Sequence, residues 1–312
     1  MKPFSIIVPG NLDGVHLGHR ALFERALELK KGEEDRVEVL GLTFDPHPLA
    51  VIAPERAPLP LTSLERRIEL LHRFGADRVE VIAFDSDYAS LSPEAFVKDE
   101  LIKKRRAKAL VVGPDFRFGK GRTGDVRTLC ELCNPWEVKV EVVSIKGDQE
   151  IERISSTAIR EALAKGEVEK AARWLGRFHE VEGEVVRGDG RGRQLGFPTA
   201  NIRPDRVLLP RDGVYAVIVR IFEEGKRLSP WLSGMLHLGA RATFNAPPSM
   251  EVHLLNFDGN LYGKRLRIGF VARLREARRF ESAEALRRQL EADKERTAFA
   301  IERVGPEEGA LG

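Results

Sequence analysis

The chain has two cysteines, Cys130 and Cys133, in 312 residues, and no apolar run near the roughly 18 residues that a membrane span needs. Two cysteines give no disulfide framework. The single Cys-Glu-Leu-Cys spacing lacks the second pair of a structural zinc site, so a helix end is the expected setting. The first residues also lack the apolar stretch and small-residue cleavage site of a signal peptide, which makes the cytoplasm the expected compartment. An excess of one charge is missing as well. Lys and Arg total 51 against 48 Asp and Glu, interleaved without basic blocks, which argues against a nucleic-acid-binding surface. Asn and Gln are scarce, nine residues together, while charged residues reach 32%; this is the compositional habit of heat-adapted proteins.

What is present fits two domains. A length of 312 residues with 42% hydrophobic content suffices for two cores. The first half alternates strand and helix: strands over Phe4–Val8, Val37–Phe44, Arg78–Phe84, Ala109–Val112 and Val138–Ile145, and helices over Leu17–Lys30, Leu64–Phe74 and Pro93–Lys104. Thr62 with Glu65 reads as a capping box for the second helix, and Ser92 as the N-cap of the third. Such alternation predicts a parallel sheet covered by helices. Two short helices follow, over Thr157–Ala164 and Val168–Trp174. Beyond Gly176 the texture becomes short β-branched alternating runs, Glu182–Arg187, Val214–Phe222, Glu251–Phe257 and Leu266–Ala272, closed by an amphipathic helix near Ala283–Arg303. The expected fold class is therefore α/β plus β-barrel, with domains 1–178 and 179–312.

Ligands of open parallel sheets gather at the carboxyl ends of the strands. Three motifs fall there: GNLDGVHLGH at 10–19, TFDPHP at 43–48 and GPDFRFG at 113–119. His16 and His19, at i and i+3, share a helix face in a first turn, where backbone N–H groups and the dipole attract an anion. A metal reading needs a third ligand, for which His47 is the candidate, and plain surface histidines are the third option. The favoured reading has both imidazoles donating to a phosphate whose charge grows in the transition state, with Gly14 and Gly18 admitting it close to the backbone. ISSTAIR at 154–160 offers hydroxyls at a helix start and an arginine one turn on, a second anion clamp. The run from Gly188 to Asn201 concentrates glycines and arginines before Pro198, an anion-binding nest, while Thr199 and Asn201 offer oxygens that suit a hard metal ion.

GNLDGVHLGH together with ISSTAIR, LTSLERRIELLHRFGAD, VVGPDFRFGKGRTGD and the second half resembles the bifunctional bacterial riboflavin kinase/FAD synthetase family, over about residues 5 to 300. The resemblance implies a Rossmann-like nucleotidyltransferase sheet and a six-stranded riboflavin-kinase-like barrel with a terminal helix. It implies two reactions: riboflavin with ATP gives FMN at the barrel, and FMN with ATP gives FAD and pyrophosphate at the sheet, with Mg²⁺. By matching position, His16 and His19 serve the α-phosphate, and Ser156, Thr157 and Arg160 the β- and γ-phosphates. Gly10, Asn11, Gly14 and Gly18, and in the barrel Gly188, Gly190, Arg193, Gly196 and Pro198, line ATP. Asp45, His47, Asp115, Phe116, Arg117, Phe118 and Arg275 lie near flavin; the alternative for Phe116 and Phe118 is core packing. Thr199 and Asn201 hold the metal, and Glu251 is the general base. The expected partners are small molecules, with no nucleic acid, no membrane and at most a weak homo-oligomer.

Departures from the family pattern are Leu12, where an aromatic is usual, and the segment 234–244, where Met235, Leu236 and His237 are bulkier than usual and Ala242 replaces a proline. The nucleotide loop and Glu251 are intact, so an active kinase is expected, and the second set bears on its riboflavin affinity. Two alternatives remain at this level: a single-activity nucleotidyltransferase with a degenerate flavin-binding second domain, and a flavin-sensing or RNA-binding protein without turnover. The composition also makes a prediction of its own. Thermal unfolding should have its midpoint above about 60 °C, near the top of the mesophilic range, and a lower midpoint would remove the heat-adapted reading.

Overall fold

The computed structural model describes residues 3–33, 36–144, 154–188, 196–223, 227–239 and 249–304. Packing divides the chain into two compact units, Met1–Ser155 and Ser156–Gly312. The first contains strands β1 (Phe4–Pro9), β2 (Val37–Asp45), β3 (Arg78–Ala83), β4 (Ala107–Val112) and β5 (Lys139–Val142). Its helices are α1 (Leu17–Lys31), α2 (Pro48–Ile52), α3 (Leu64–Arg73), α4 (Ser86–Ala89), α5 (Pro93–Ala95) and α6 (Val126–Cys133). All five strands run parallel in the order β3-β2-β1-β4-β5, so the chain reverses its winding direction at β1. Open α/β sheets bind ligands at that switch point. β1 and β2 read as nearly unbroken apolar runs because both of their faces are covered: Ile6, Val8 and Val39 pack under α1 and α3, while Ile7, Leu40 and Leu42 face the opposite core with Leu101 and Leu129.

Local departures have physical reasons. Helix α3 is capped by Ser63, whose hydroxyl accepts from Arg66 N–H at 3.2 Å, and not by Thr62, which is buried; the cap falls one residue later than the spacing suggests. The helix beginning at Pro93 is α-helical only to Ala95 and then widens into a π-helix over Phe96–Lys103, which buries Phe96, Val97 and Leu101 together. Helix α6, of which the sequence shows only the end at Cys130 and Cys133, is capped by Asp125, which accepts from Thr128 N–H at 2.9 Å. Cys133 is its last residue, and burial, helped by nearby Cys130, pushes its thiol up to about 12.

The second unit opens with α7 (Ser156–Lys165) and α8 (Val168–Leu175), followed by β6 (His179–Val186), β7 (Ala200–Pro204), β8 (Gly213–Ile221), β9 (Leu232–Gly239), β10 (Ser249–Leu254), β11 (Arg265–Arg275) and α9 (Ala283–Val304). The six strands close into an antiparallel barrel in the order β10-β7-β6-β11-β8-β9. β6 alternates strictly between buried and half-buried residues, as a barrel wall should. Closure leaves no free strand edge. Ile301 of α9 packs with Val214, Met235 and Val271 on the barrel's outer surface. Packing places the boundary at 155/156, earlier than the 178/179 expected from sequence texture. The reason is that α8 belongs to the barrel: Ala172 packs against that same apolar group, and Glu169 accepts from Arg273 N–H at 3.1 Å.

Candidate active sites

In the first unit, the carboxyl ends of β1 and β2 are tied by one buried guanidinium. Arg67 of α3 donates to Asn11 O (3.3 Å), Thr43 Oγ1 (3.2 Å) and Phe44 O (3.1 Å), and Thr43 Oγ1 donates to Asn11 O at 2.8 Å. Asp13, 2% exposed, accepts from Leu61 N–H through both carboxylate oxygens at 3.0 and 3.1 Å. These contacts fold GNLDGVHLGH into a turn with Leu12, Gly14 and Val15 all at positive φ. For Leu12 and Val15 this is strained backbone, held by complete burial in the core under α1. Leu12 therefore fills the turn as an apolar plug.

The turn delivers His16 to the N-cap of α1 and His19 to the same helix face three residues on. Their rings stack, with centroids 3.7 Å apart and planes 19° from parallel. The pair stands at the positive end of a 15-residue helix, next to the N–H groups of its first turn. Among the described residues no group of three or more His, Cys, Asp or Glu side chains could hold a metal ion. The geometry is that of an anion site.

TFDPHP joins this site directly. His47 Nδ1 accepts from Leu49 N–H at 3.1 Å, capping α2, so the neutral ring carries its proton on Nε2. Nε2 lies 3.0 Å from Asn11 Nδ2, and because this tautomer makes Nε2 the donor, the contact is a hydrogen bond only with the carboxamide rotated so that its oxygen accepts. Asp45, at the end of β2, is exposed.

The third loop rests on an aromatic ladder. Phe116 stacks on Phe118 (5.5 Å), Phe118 meets Phe96 at a tilt (5.5 Å), and Tyr88, Phe84 and Phe44 continue it toward the end of β2. Phe118 is 6% exposed and belongs to the core; Phe116 is half-buried above it. Asp115 and Arg117 are exposed, and Arg117 stands 3.9 Å from Asp125. Gly119 at φ +72° lets the loop press on Pro93, where a Cβ would lie 2.8 Å from the backbone nitrogen. Ser156, Thr157 and Arg160 open α7 in the second unit, with Thr157 the most exposed of the three.

In the barrel, backbone pairing places Glu251 of β10 opposite Asn201 of β7 on one side and His237 of β9 on the other. Met250 and Val252 point inward, so these three project together from the outer face. Ser249 Oγ donates to Glu251 Oε1 at 2.7 Å, and Thr199 Oγ1 stands 3.5 Å from Oε2. His253 Nδ1–H donates to Pro198 O at 2.8 Å and fixes the turn that presents Thr199. On its other side Thr199 lines a cavity of about 540 Å³ with Pro198, Leu254, Phe257, Asp258 and Tyr262. Gly188 closes on Asn201 so tightly that a Cβ would meet Nδ2 at 1.9 Å. Thr199 and Asn201 thus present neutral oxygen donors beside a carboxylate, a donor set that fits a hard divalent cation such as Mg²⁺. Arg275 is held by fully buried Asp293 of α9 through contacts of 2.8 Å, with its guanidinium 5.5 Å from the Phe280 ring. Gly196 is at φ +82°. Gly190 and Arg193 lie outside the described residues, as does the part of the unusual 234–244 segment from 240 onward.

A strand-end anion site on a parallel sheet and a carboxylate with hard oxygen donors on a closed barrel define a two-domain phosphate-transferring protein. The comparisons give the same division. A family model for FAD synthetase matches residues 2–158 and one for riboflavin kinase matches residues 175–300. The bifunctional riboflavin kinase/FMN adenylyltransferase of Escherichia coli (strain K12) is 36% identical over 290 residues, covering 93% of this chain and 90% of that one. Its counterpart from Listeria monocytogenes is 36% identical over 299 residues, covering 94% and 91%. The crystal structure of a protein described as a macrolide-efflux protein from Streptococcus pneumoniae superposes with a TM-score of 0.86 at 31% identity, covering 96% of this chain and 95% of that one. The chain belongs to the bifunctional riboflavin kinase/FMN adenylyltransferase family. No described helix is long and apolar enough to cross a membrane.

Sequence reasoning named the two histidines and Glu251 but passed over Asp13, Arg67, Ser249 and His253, which hold the turns carrying them. Such anchors show only once strand pairing is known. The His47 bridge is testable on the free protein: His47→Ala removes a cap and a hydrogen bond, and should cost about 1–2 kcal/mol in denaturant unfolding of the first unit. An unchanged unfolding curve would show that the bridge does not form.

Proposed function

We propose that the chain makes FMN from riboflavin and ATP at the barrel, and FAD from FMN and ATP at the parallel sheet. The observation that carries the reading is the pair of separately built sites: stacked His16 and His19 at a helix start in one unit, and Glu251 between Ser249 and Thr199 in the other.

At the barrel, the Glu251 carboxylate takes the proton of the riboflavin 5′-hydroxyl as that oxygen attacks the γ-phosphorus of ATP and ADP leaves. General-base help of this kind is worth on the order of 10²–10⁴ in rate. The cavity lined by Pro198 and Thr199 receives the nucleotide, and the assignment of Gly188, Gly190, Arg193 and Gly196 to its phosphates rests on their motif. Thr199 and Asn201 would hold Mg²⁺, which supplies charge neutralisation on those phosphates. Arg275, fixed by Asp293, sits at the flavin end of the acceptor.

At the sheet, an FMN phosphate oxygen attacks the α-phosphorus of ATP and pyrophosphate leaves. This needs positioning and charge stabilisation more than a covalent partner. His16 and His19 donate to the α-phosphate, each such donor being worth on the order of 10²–10³. Gly10, Asn11, Gly14 and Gly18 line the turn that receives the nucleotide, and with its oxygen rotated to accept from His47 the Asn11 carboxamide keeps its NH₂ as a donor. Asp45, His47, Asp115, Phe116 and Arg117 stand on the two neighbouring loops as flavin contacts, with Phe118 supporting Phe116 from the core. The assignment of Ser156, Thr157 and Arg160 to the β- and γ-phosphates rests on their motif. Domains 1–178 and 179–312 remain the proposed functional division, and the cytoplasm the proposed compartment.

The test is selective loss. Glu251→Ala should abolish FMN formation and spare FAD formation from supplied FMN, and His16→Ala with His19→Ala should do the reverse. Equal loss of both activities in a folded variant would overturn the two-site assignment, and absence of both products from the wild type would overturn the function.

A further inference from the structure

We propose that His237 is a positioning residue of the kinase site, holding the hydroxyl-bearing side chain of riboflavin between Glu251 and Arg275. This rests on the kinase reading above and adds the side chain that grips the acceptor.

The placement follows from strand register. Backbone pairing links Asn201, Glu251, His237, Val214 and Arg275 in one row across β7, β10, β9, β8 and β11. Neighbouring strands are about 4.8 Å apart, so Glu251 and Arg275 are separated by roughly 14 Å of barrel wall. The residues flanking the row on β9 and β10, Leu236, Leu238, Met250 and Val252, are buried inside, which puts the row on the outer face. At one end is the carboxylate that takes a proton, and at the other a guanidinium fixed by Asp293 and set near the Phe280 ring. Between them stand Val214, buried and without a polar side-chain atom, and His237, an exposed residue whose ring is partly shielded by the barrel wall. Among the described residues of this row, His237 is therefore the polar group between the two ends that an acceptor bridging them would meet.

The ring is also aimed. It lies back over Gly239, where a Cβ would meet Cε1 at 3.0 Å and Nε2 at 3.3 Å. Gly239 pairs with Ser249, the residue whose hydroxyl donates to Glu251. The imidazole is thus displaced along β9 to the level of Ser249, whose hydroxyl donates to Glu251.

Its protonation state selects the ligand chemistry. Loss of solvent against the barrel wall lowers the His237 pKa; Glu251 pulls it up, Arg275 down and Asp212 up, and the net direction is down from 6.5. At pH 7 the ring is neutral, with one N–H donor and one lone pair. A hydroxyl, which also donates and accepts once each, matches that pair, whereas a phosphate has only acceptors to offer. The chain of hydroxyls on the acceptor fits better than the nucleotide.

Steady-state kinetics of FMN formation decides it, with KM measured for riboflavin and for ATP. His237→Ala should raise the riboflavin KM about fivefold to tenfold, the size of one neutral hydrogen bond, and leave the ATP KM unchanged. His237→Gln, which keeps a donor and an acceptor, should restore most of the loss. Gly239→Ala, whose new Cβ displaces the ring, should reproduce the His237→Ala effect without removing the imidazole. FAD formation from supplied FMN should be untouched in all three. An unchanged riboflavin KM, or an equal rise in both KM values, would overturn the proposal. A wild type that makes no FMN would instead remove the kinase reading beneath it.

Discussion

Backbone register is the constraint on which both sites depend. In the sheet, parallel pairing of β1 with β2 carries Pro9 to the level of Leu42, and Gly10 N–H continues the ladder to Leu42 O at 3.0 Å. The turns after the two strands must then meet, and Asn11 reaches Thr43 and His47 without a long side chain. In the barrel, antiparallel pairing sets Asn201, Glu251 and His237 in line across three strands. A slip of one residue in β10 would send Glu251 into the core and bring Val252 out. Chemistry and core packing are therefore enforced by the same hydrogen bonds.

Register alone leaves turns loose, and each site spends buried polar groups to fix them. Arg67 satisfies two carbonyls and a hydroxyl at the strand ends, and Asp13 takes up the Leu61 amide. A buried charge is tolerable only when hydrogen-bonded in this way, and removing one partner leaves the other stranded. The barrel uses neutral versions: His253 on the Pro198 carbonyl and Ser249 on the Glu251 carboxylate. The result is a preorganised pair of histidines in one unit and a preorganised carboxylate in the other, which is what phosphoryl and nucleotidyl transfer require.

Much of this was legible in the sequence. β1, α1 and β2 appear within a residue or so of their expected bounds because apolar periodicity there is unbroken, and the glycine-rich turn before His16 marks the change from strand to helix. β7 and β9 were missed: the first is five residues long and holds Asn and Pro, and the second interrupts its alternation with Gly234 and the run Met235-Leu236. Without β9 the pairing of His237 with Glu251 cannot be read, so an irregular letter stood where the structure shows a member of the polar row. Thr62 lost the cap to Ser63 because two adjacent hydroxyl residues satisfy the same pattern, and only backbone geometry chooses between them. The place of α7 and α8 was hidden for a similar reason, since their periodicity reports an apolar face and not which core it covers.

The central claim is that two different bonds of ATP are cleaved at two separate sites, and isotope tracing tests it most directly. Riboflavin and Mg²⁺ would be incubated with the pure protein and ATP labelled at either the γ- or the α-phosphorus. The account predicts γ-label in FMN, retained in FAD and also released in pyrophosphate, and α-label in FAD but not FMN among the flavins, with the remainder in the ADP left by the kinase step. Absence of α-label from FAD, or α-label in FMN, would contradict it.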